Sequence, residues 1–444
     1  MDFGAFVGLL VQLAAILVLV GAFGWGCLRR TGFYFVVIAF AYHGIAELGI
    51  AVTGRRPPLR PAELEQMVGD WTVLVGASML TFSLVYIALS DKASELQSVE
   101  SRRRAVLAAL PWPPMAGASV FLVGVVAAGG YRGGASASYG EGIGGTQSGL
   151  TEQFLTPALA LTMIGFIASG SNRRMVPTLF GGTLVVSLVG SRLTAVVLIG
   201  LTLFGLMLLD RRPTRRHVGV ALCLVAALAF VVDQARQHSG RSAFTQATSA
   251  TDRLGQLAGG TLSWVKGDEA RFADAATQPW AERLDGNTFG ALVLAELRAG
   301  EPPVGAATVV NDTLLAVPSA LNPAKLSSDI TERSEKLYLR QWFVLDLPLD
   351  FLPTQLGVML AYLGPWGLPL LAGGLGVLYA WGDRLIGRGS LLGFLVPLAL
   401  LSCAMSYERS METYVLTARG FAVIFVGAAL LAAMRRPTAS VPVR

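Results

Sequence analysis

The sequence predicts an all-α protein that crosses a membrane about eleven times, within a range of about ten to twelve, and carries one large, partly helical loop outside it. Three observations lead there. Hydrophobic residues make up 53% of the 444 and charged residues only 14%, whereas a soluble domain carries about 25% charge. The apolar residues gather into runs of about 17–25, the length that spans a hydrocarbon layer of ~30 Å, and the mean hydropathy is +0.57. One polar stretch, 234–350, interrupts these runs. It is too long for a tight connection and too polar to face lipid, and loops of that length are usually functional.

The runs cover 3–28, 33–53, 71–90, 105–129, 154–170, 176–190, 193–209 and 218–232 before the polar stretch. After it they cover 356–381, 390–406 and 415–434. The fourth begins with Pro111, Pro113 and Pro114, which deny its first turns their N–H donors. A Gly/Ser-rich loop, 130–149, follows it, and only Ser191 and Arg192 separate the sixth run from the seventh. The chain therefore divides into an N-terminal membrane block (1–233), an extracytoplasmic loop or cap (234–350), a C-terminal membrane block (351–434) and a cytoplasmic tail (435–444). The first run is too long, and lacks the basic start, for a cleavable signal. No internal repeat is visible.

Arginine sets the orientation. With alternating spans, Arg29, Arg30, Arg102, Arg103, Arg104, Arg173, Arg174, Arg211, Arg212, Arg215, Arg216, Arg384, Arg388, Arg435 and Arg436 fall on one side. The other side holds Arg55, Arg56, Arg60, Arg132, Arg192 and Arg409. Cytoplasmic loops carry the excess of Lys and Arg, so the N-terminus and the long loop are expected outside. The net charge of +6 belongs to this bias and is no sign of nucleic-acid binding. Cys27, Cys223 and Cys403 lie scattered in apolar runs, which argues against a disulfide framework or a zinc site.

Within the long loop, Asp285-Gly286-Asn287 reads as the entry to a helix over 288–298, with Phe289, Leu292, Leu294 and Leu297 as its apolar residues. Gly300, Pro302 and Pro303 stop it. A second helix is expected over 330–345, carrying Leu337, Leu339, Trp342 and Phe343. Both could lie on the membrane surface or pack on one another in a cap.

Chemistry is expected from cations near the outer interface. Arg192, between two apolar spans, is costly in lipid without a partner or a role; it either grips phosphate oxygens or snorkels to headgroups. Arg409 and Arg419, beside Tyr407, Glu408, Glu412 and Tyr414, fall on the same side. The three arginines suggest a diphosphate site, although Glu408 and Glu412 are near enough to neutralise Arg409. Arg333, Lys336 and Arg340 share one face at helical spacing, which suits a phosphate or a solvated charged surface. For a general base, His238 stands near the start of the loop, and Glu332, Glu335, Asp285, Asp346 and Asp350 are carboxylate alternatives. His43 and Glu47, four apart on the second span, could bond one another as a structural or accessory contact. No P-loop, Rossmann GxGxxG, HExxH or GxSxG is present, so an activated substrate or an ion gradient is the energy source to expect.

Two segments carry a resemblance. Val-Ser-Leu-Val-Gly-Ser-Arg-Leu-Thr-Ala-Val-Val at 186–197 resembles the Ser-Arg turn between paired spans in bacterial O-antigen and exopolysaccharide polymerases. Phe-Leu-Pro-Thr-Gln-Leu-Gly-Val-Met-Leu-Ala-Tyr-Leu-Gly-Pro-Trp-Gly at 351–367 resembles the segment that re-enters the membrane after their large periplasmic loop. The order of parts over 150–434 is similar too. That family and the related O-antigen ligases act on undecaprenyl-diphosphate-linked glycans at the outer face of the plasma membrane. The resemblance implies transfer of a growing glycan from its lipid diphosphate to another lipid-linked repeat unit, without cofactor, nucleotide or essential metal, with a separate chain-length regulator as a candidate partner. Arg192 matches the family's Ser-Arg position. A loop histidine marks the ligases, and His238 lies at the loop's start. Other polyprenyl-phosphate-dependent glycosyltransferases carry acidic residues in their first outer loop, where this chain has Glu63, Glu65 and Asp70. A lipid-linked oligosaccharide flippase or secondary transporter is the alternative from a different class; it calls for ionisable residues in mid-span and a repeat, and only Glu47 meets the first condition.

Overall fold

The computed structural model describes residues 2–54, 60, 62–90, 103–104, 106–107, 145–170, 178–179, 181–183, 192–209, 219, 223, 227, 255–260, 262, 285–305, 314, 317, 339, 341–345, 353–386, 391–408 and 411–434. Among them the regular structure is helical, with no strand. Helix α1, Phe3–Phe23, is capped by Asp2, whose carboxylate accepts the Phe3 and Gly4 N–H groups at 2.7 and 3.3 Å. It continues into a 3-10 turn, Gly24–Arg29. Next come α2, Thr31–Phe40, a π turn, Ala41–Ile45, and α3, Ala46–Thr53, as one unbroken rod. The remaining helices are α4 (Glu65–Leu89), α5 (Gly145–Ala168), α6 (Arg192–Leu209), α7 (Asn287–Ala299), α8 (Gln355–Ile386), α9 (Leu391–Met405) and α10 (Glu412–Met434). Among the described residues, four stretches are long and apolar enough to cross a membrane: Phe3–Arg29, Thr31–Val52, Ala62–Leu89 and Gln355–Ile386. Shorter apolar helices lie at Thr156–Ala168, Val196–Leu209, Leu392–Met405 and Thr417–Gly427. Such helices make a membrane-embedded protein. Outward-facing Phe3, Leu10, Leu17, Trp366 and Leu370 are what a lipid-facing surface presents. The spans expected at 105–129, 176–190 and 218–232 lie almost wholly outside the described residues.

Helices α1 and α4 lie side by side and parallel. A Cβ on Gly8 would stand 2.5 Å from the Thr72 carbonyl carbon, so only glycine allows this approach. Lipid gives helices no hydrophobic reason to associate, and close backbone packing takes its place. At the far end of α8, Asp383 caps α2 from another helix. Its carboxylate accepts the Thr31 N–H at 3.1 and 3.3 Å, the Thr31 hydroxyl at 2.7 Å and the Tyr86 hydroxyl. These contacts fix the directions. Asp2, Glu65, Gln355 and the end of α3 share one end of the bundle; Thr31, Tyr86 and Asp383 share the other. Arg29 donates to the Met207 carbonyl at 3.1 Å, so α6 finishes at that second end and begins, with Arg192, at the first. The N-terminus and α7 also meet at the first end, here termed the loop end. Helices α1, α4, α6 and α8 therefore run in one direction and the rod of α2 and α3 in the other.

Helix α8 is broken at Gly364, whose φ of 71° and ψ of −176° are not helical. Pro365 follows and has no N–H for the Ala361 carbonyl. The chain just past α7 supplies the missing donors: Val304 N–H bonds the Ala361 carbonyl at 2.9 Å and Gly305 N–H the Tyr362 carbonyl at 3.0 Å. Backbone groups at membrane depth must be satisfied within the protein, and here the loop does it.

Candidate functional site

Helix α7 does not lie flat on a membrane surface, and described residues of the second expected helix pack near it: Trp342 donates to the Pro302 carbonyl at 2.9 Å, and Leu339 and Phe343 are buried in the same apolar cluster as Phe289 and Leu294. The first half of α7 is buried between α4 and α8, with Asn287, Phe289, Ala291 and Leu294 inside. Its last turn emerges, and Arg298 pairs with Asp70 at 2.6 Å in an exposed bridge. The end that enters is capped by Asp285. One carboxylate oxygen accepts the Asn287 and Thr288 N–H groups at 2.9 and 3.2 Å, and the other accepts the Thr288 hydroxyl. Two close approaches make room. A Cβ on Gly290 would lie 2.2 Å from the Trp71 ring, and one on Gly286 would lie 2.6 Å from Thr354 and 3.0 Å from His43.

The receptor is the π turn of the second span. A widened turn loosens the i→i+4 ladder and leaves carbonyls for other donors. The Tyr42 carbonyl accepts Gly286 N–H at 3.1 Å, and the His43 carbonyl accepts the Asn287 side-chain amide at 2.9 Å. The same amide group donates to Glu47 at 2.8 Å. Asn287 Nδ2 thus faces two acceptors, so Oδ1 is the atom 2.7 Å from His43 Nδ1. It can only accept, and Nδ1 therefore carries a proton. His43 Nε2, 3.0 Å from the Tyr407 hydroxyl, accepts from it when the imidazole is neutral. Both ring nitrogens are committed, so His43 and Glu47 do not bond one another; Asn287 bridges them.

A buried cation sits at the Glu47 end of this chain. Glu47 accepts both Arg60 nitrogens at 2.6 and 3.2 Å, and Arg60 also reaches Glu65 at 3.0 Å. Burial opposes the charge on Arg60, but Glu47, Asp285 and Glu65 outweigh it and hold the guanidinium above its ordinary pKa. On the other side, Tyr407 begins a polar turn between α9 and α10. Its carbonyl accepts Gln355 N–H at 3.1 Å, its ring lies 5.5 Å from that of Tyr42, and Tyr42 donates to the Glu408 carboxylate at 3.1 Å. Gln355 donates to the Cys403 carbonyl at 2.7 Å and accepts from Tyr414 at 3.0 Å. A continuous polar chain therefore runs from Arg60 through Glu47, Asn287 and His43 to Tyr407. Beside it, Tyr42 and the partly exposed Glu408 form a rim.

Of the residues expected from sequence, His238, Glu332, Arg333, Glu335, Arg340 and Arg409 lie outside the described residues, as do Asp346 and Asp350. Arg192 opens α6 at the loop end; its side chain is not among those described. Arg419 is half-buried near the start of α10, and α6 and α10 both pack on α5. Asp285 is a helix cap with both oxygens engaged. Glu65 and Asp70 are taken by Arg60 and Arg298, so two of the three acidic residues of the first loop are in ion pairs, and Glu63 is exposed. Glu408 bonds Tyr42. Sequence reasoning did not find Asn287 as a buried bridge, Tyr42, or Asp383. The polar residues inside the second span pointed toward the junction without naming its partner.

Comparison of the chain with protein-family models, curated proteins and solved structures finds no match.

Proposed function

We propose that this protein is a glycosyltransferase that joins undecaprenyl-diphosphate-linked oligosaccharide repeat units into a surface polysaccharide at the outer face of the bacterial plasma membrane, with the long loop extracytoplasmic. The observation that carries this reading is the seating of loop helix α7 in the same end of the bundle at which α6 begins with Arg192 and α10 begins toward Arg419. A donor whose lipid lies among the spans and whose sugars lie in water needs loop and spans to act as one body. The resemblance of 186–197 and 351–367 to polysaccharide polymerases supports the same reading.

The chemistry is a displacement at the anomeric carbon. An acceptor hydroxyl oxygen bonds to that carbon, its proton goes to a base, and the carbon–oxygen bond to the lipid diphosphate breaks. The diphosphate leaves with the electron pair. Arg192, Arg409 and Arg419 hold it, and fixed cations placed where negative charge develops lower the barrier; Arg333 and Arg340 of the loop are the further cations of the proposal. No cofactor takes part. The purified protein, given a synthetic polyprenyl-diphosphate-linked repeat unit, yields a ladder of longer products, and Arg192→Ala lowers its rate by about 100-fold or more. Transfer to a lipid A acceptor without a ladder would make the protein a ligase. A ladder from Arg192→Ala at the wild-type rate would remove Arg192 from the clamp.

Buried charge among the spans, with Glu47 on Arg60 and Asp383 beneath Tyr86, favours a second reading, a transporter of lipid-linked oligosaccharides. Movement of a labelled lipid-linked repeat across proteoliposomes, with no ladder, would select it.

A further inference from the structure

The proposed reaction needs a base for the acceptor hydroxyl, and the described carboxylates at the loop end can be sorted by what already holds them. Asp2 and Asp285 cap helices. Glu47 and Glu65 share Arg60, and Asp70 holds Arg298. Glu63 and Glu301 are exposed, and Glu296 lies farther along α7; among the described residues nothing bonds these three carboxylates. Glu408 differs from each. It is partly buried in the turn between α9 and α10, directly after Tyr407. One of its oxygens accepts the Tyr42 hydroxyl at 3.1 Å, and among the described residues no cation pairs with it.

We infer that Glu408 is the general base that takes the acceptor hydroxyl proton, with Tyr42 as the positioning residue that aims its carboxylate; this deepens the glycosyltransferase reading and rests on it. The geometry has the parts that such a base requires. Oε2 is held by Tyr42, and Glu408 is partly exposed at the loop end of the bundle. Behind it the Tyr42 and Tyr407 rings pack 5.5 Å apart, and Tyr407 is tied through His43 and Asn287 to loop helix α7. The base therefore stands where the long loop meets the spans. In the step itself the acceptor O–H proton moves to the carboxylate as the oxygen bonds to the anomeric carbon. The bond to the lipid diphosphate breaks, and Glu408 later releases the proton to water.

The test uses the full-length protein and a synthetic polyprenyl-diphosphate-linked repeat unit. Glu408→Gln still accepts the Tyr42 hydroxyl but takes no proton. Its turnover falls by about 100-fold or more, while KM for the donor stays within about twofold, and the acid limb of the pH–rate profile disappears. Tyr42→Phe keeps the carboxylate and removes the donor that aims it. Its turnover falls by about 10-fold while KM for the donor stays within about twofold. Turnover of Glu408→Gln within about threefold of wild type would overturn the assignment. So would wild-type turnover in Tyr42→Phe, which decides the matter even if Glu408→Gln fails to fold. If wild type yields no product from the lipid diphosphate, the glycosyltransferase reading fails and the role of Glu408 fails with it. Wild-type product with unaffected variants sinks the base alone.

Discussion

Asn287 shows how one side chain can hold two parts of a chain together. Its amide donates to the His43 carbonyl and to Glu47 and accepts from His43 Nδ1, with all of them buried. Net hydrogen bonds are worth little, but each buried group left without a partner costs about 1–3 kcal/mol. Asn287→Leu fills similar space and strands two such groups, the His43 carbonyl and His43 Nδ1, while Glu47 keeps Arg60. The detergent-solubilised variant should therefore unfold at a clearly lower temperature than wild type, and an unchanged midpoint would mean that the bridge contributes nothing. Ion pairs at this end differ by burial in the same way. Arg60 is almost wholly enclosed, and Arg60→Ala would leave Glu47 charged and unpaired, a loss of about 3–5 kcal/mol. Arg298 and Asp70 are nearly half exposed, so Arg298→Ala should cost no more than about 1 kcal/mol. Thermal unfolding of the two variants side by side checks the ranking, and equal losses would contradict it.

At the scale of elements, a π turn receives the first turn of a helix from a distant loop. Helix α7 offers Gly286 N–H and the Asn287 amide; the second span offers the Tyr42 and His43 carbonyls. Gly286 must lack a side chain because His43 and Thr354 occupy that space. Gly286→Val should push α7 out of its seat and expose Trp71, read as faster cleavage of the loop by protease and a red-shifted tryptophan emission; wild-type protease resistance would show that the seat tolerates a Cβ. Part of this was legible in the sequence. Asp285, Gly286 and Asn287 mark a helix start, and Gly300 with its following prolines marks the stop; the helix spans Asn287–Ala299. His43 and Glu47 stood out as polar residues in an apolar run. Their partner did not, because nothing in local spacing reports a contact between residues 244 apart. The π turn was hidden as well, since it is stabilised by what docks on it and not by its own residues. Asp383 escaped notice for a similar reason: between Gly382 and Arg384 it reads as part of a polar span end, yet it caps a helix that begins 352 residues earlier.

For the whole molecule, helix directions turn a local contact into a statement about sidedness. The start of α1, the start of α4 and the seat of α7 lie at one end of the bundle, and Thr31, Tyr86 and Asp383 lie at the other. Residue 2 and the exit of α7 at residue 301 must then face the same compartment, whichever it is. In the proposed topology, which rests on the excess of arginine in the opposite connections, that compartment is the outside. Single cysteines at Asp2, Glu301 and Ser239, introduced into a Cys223→Ser background because Cys223 is exposed, test both statements at once. In intact cells an impermeant thiol reagent should label all three, while a cysteine at Arg384 reacts only after the membrane is opened. Labelling of residue 301 without residue 2 would break the parallel packing of α1 and α4. No labelling of any of the three until lysis would keep the packing and invert the protein. The lipid-diphosphate reaction would then have to be sought on the cytoplasmic face.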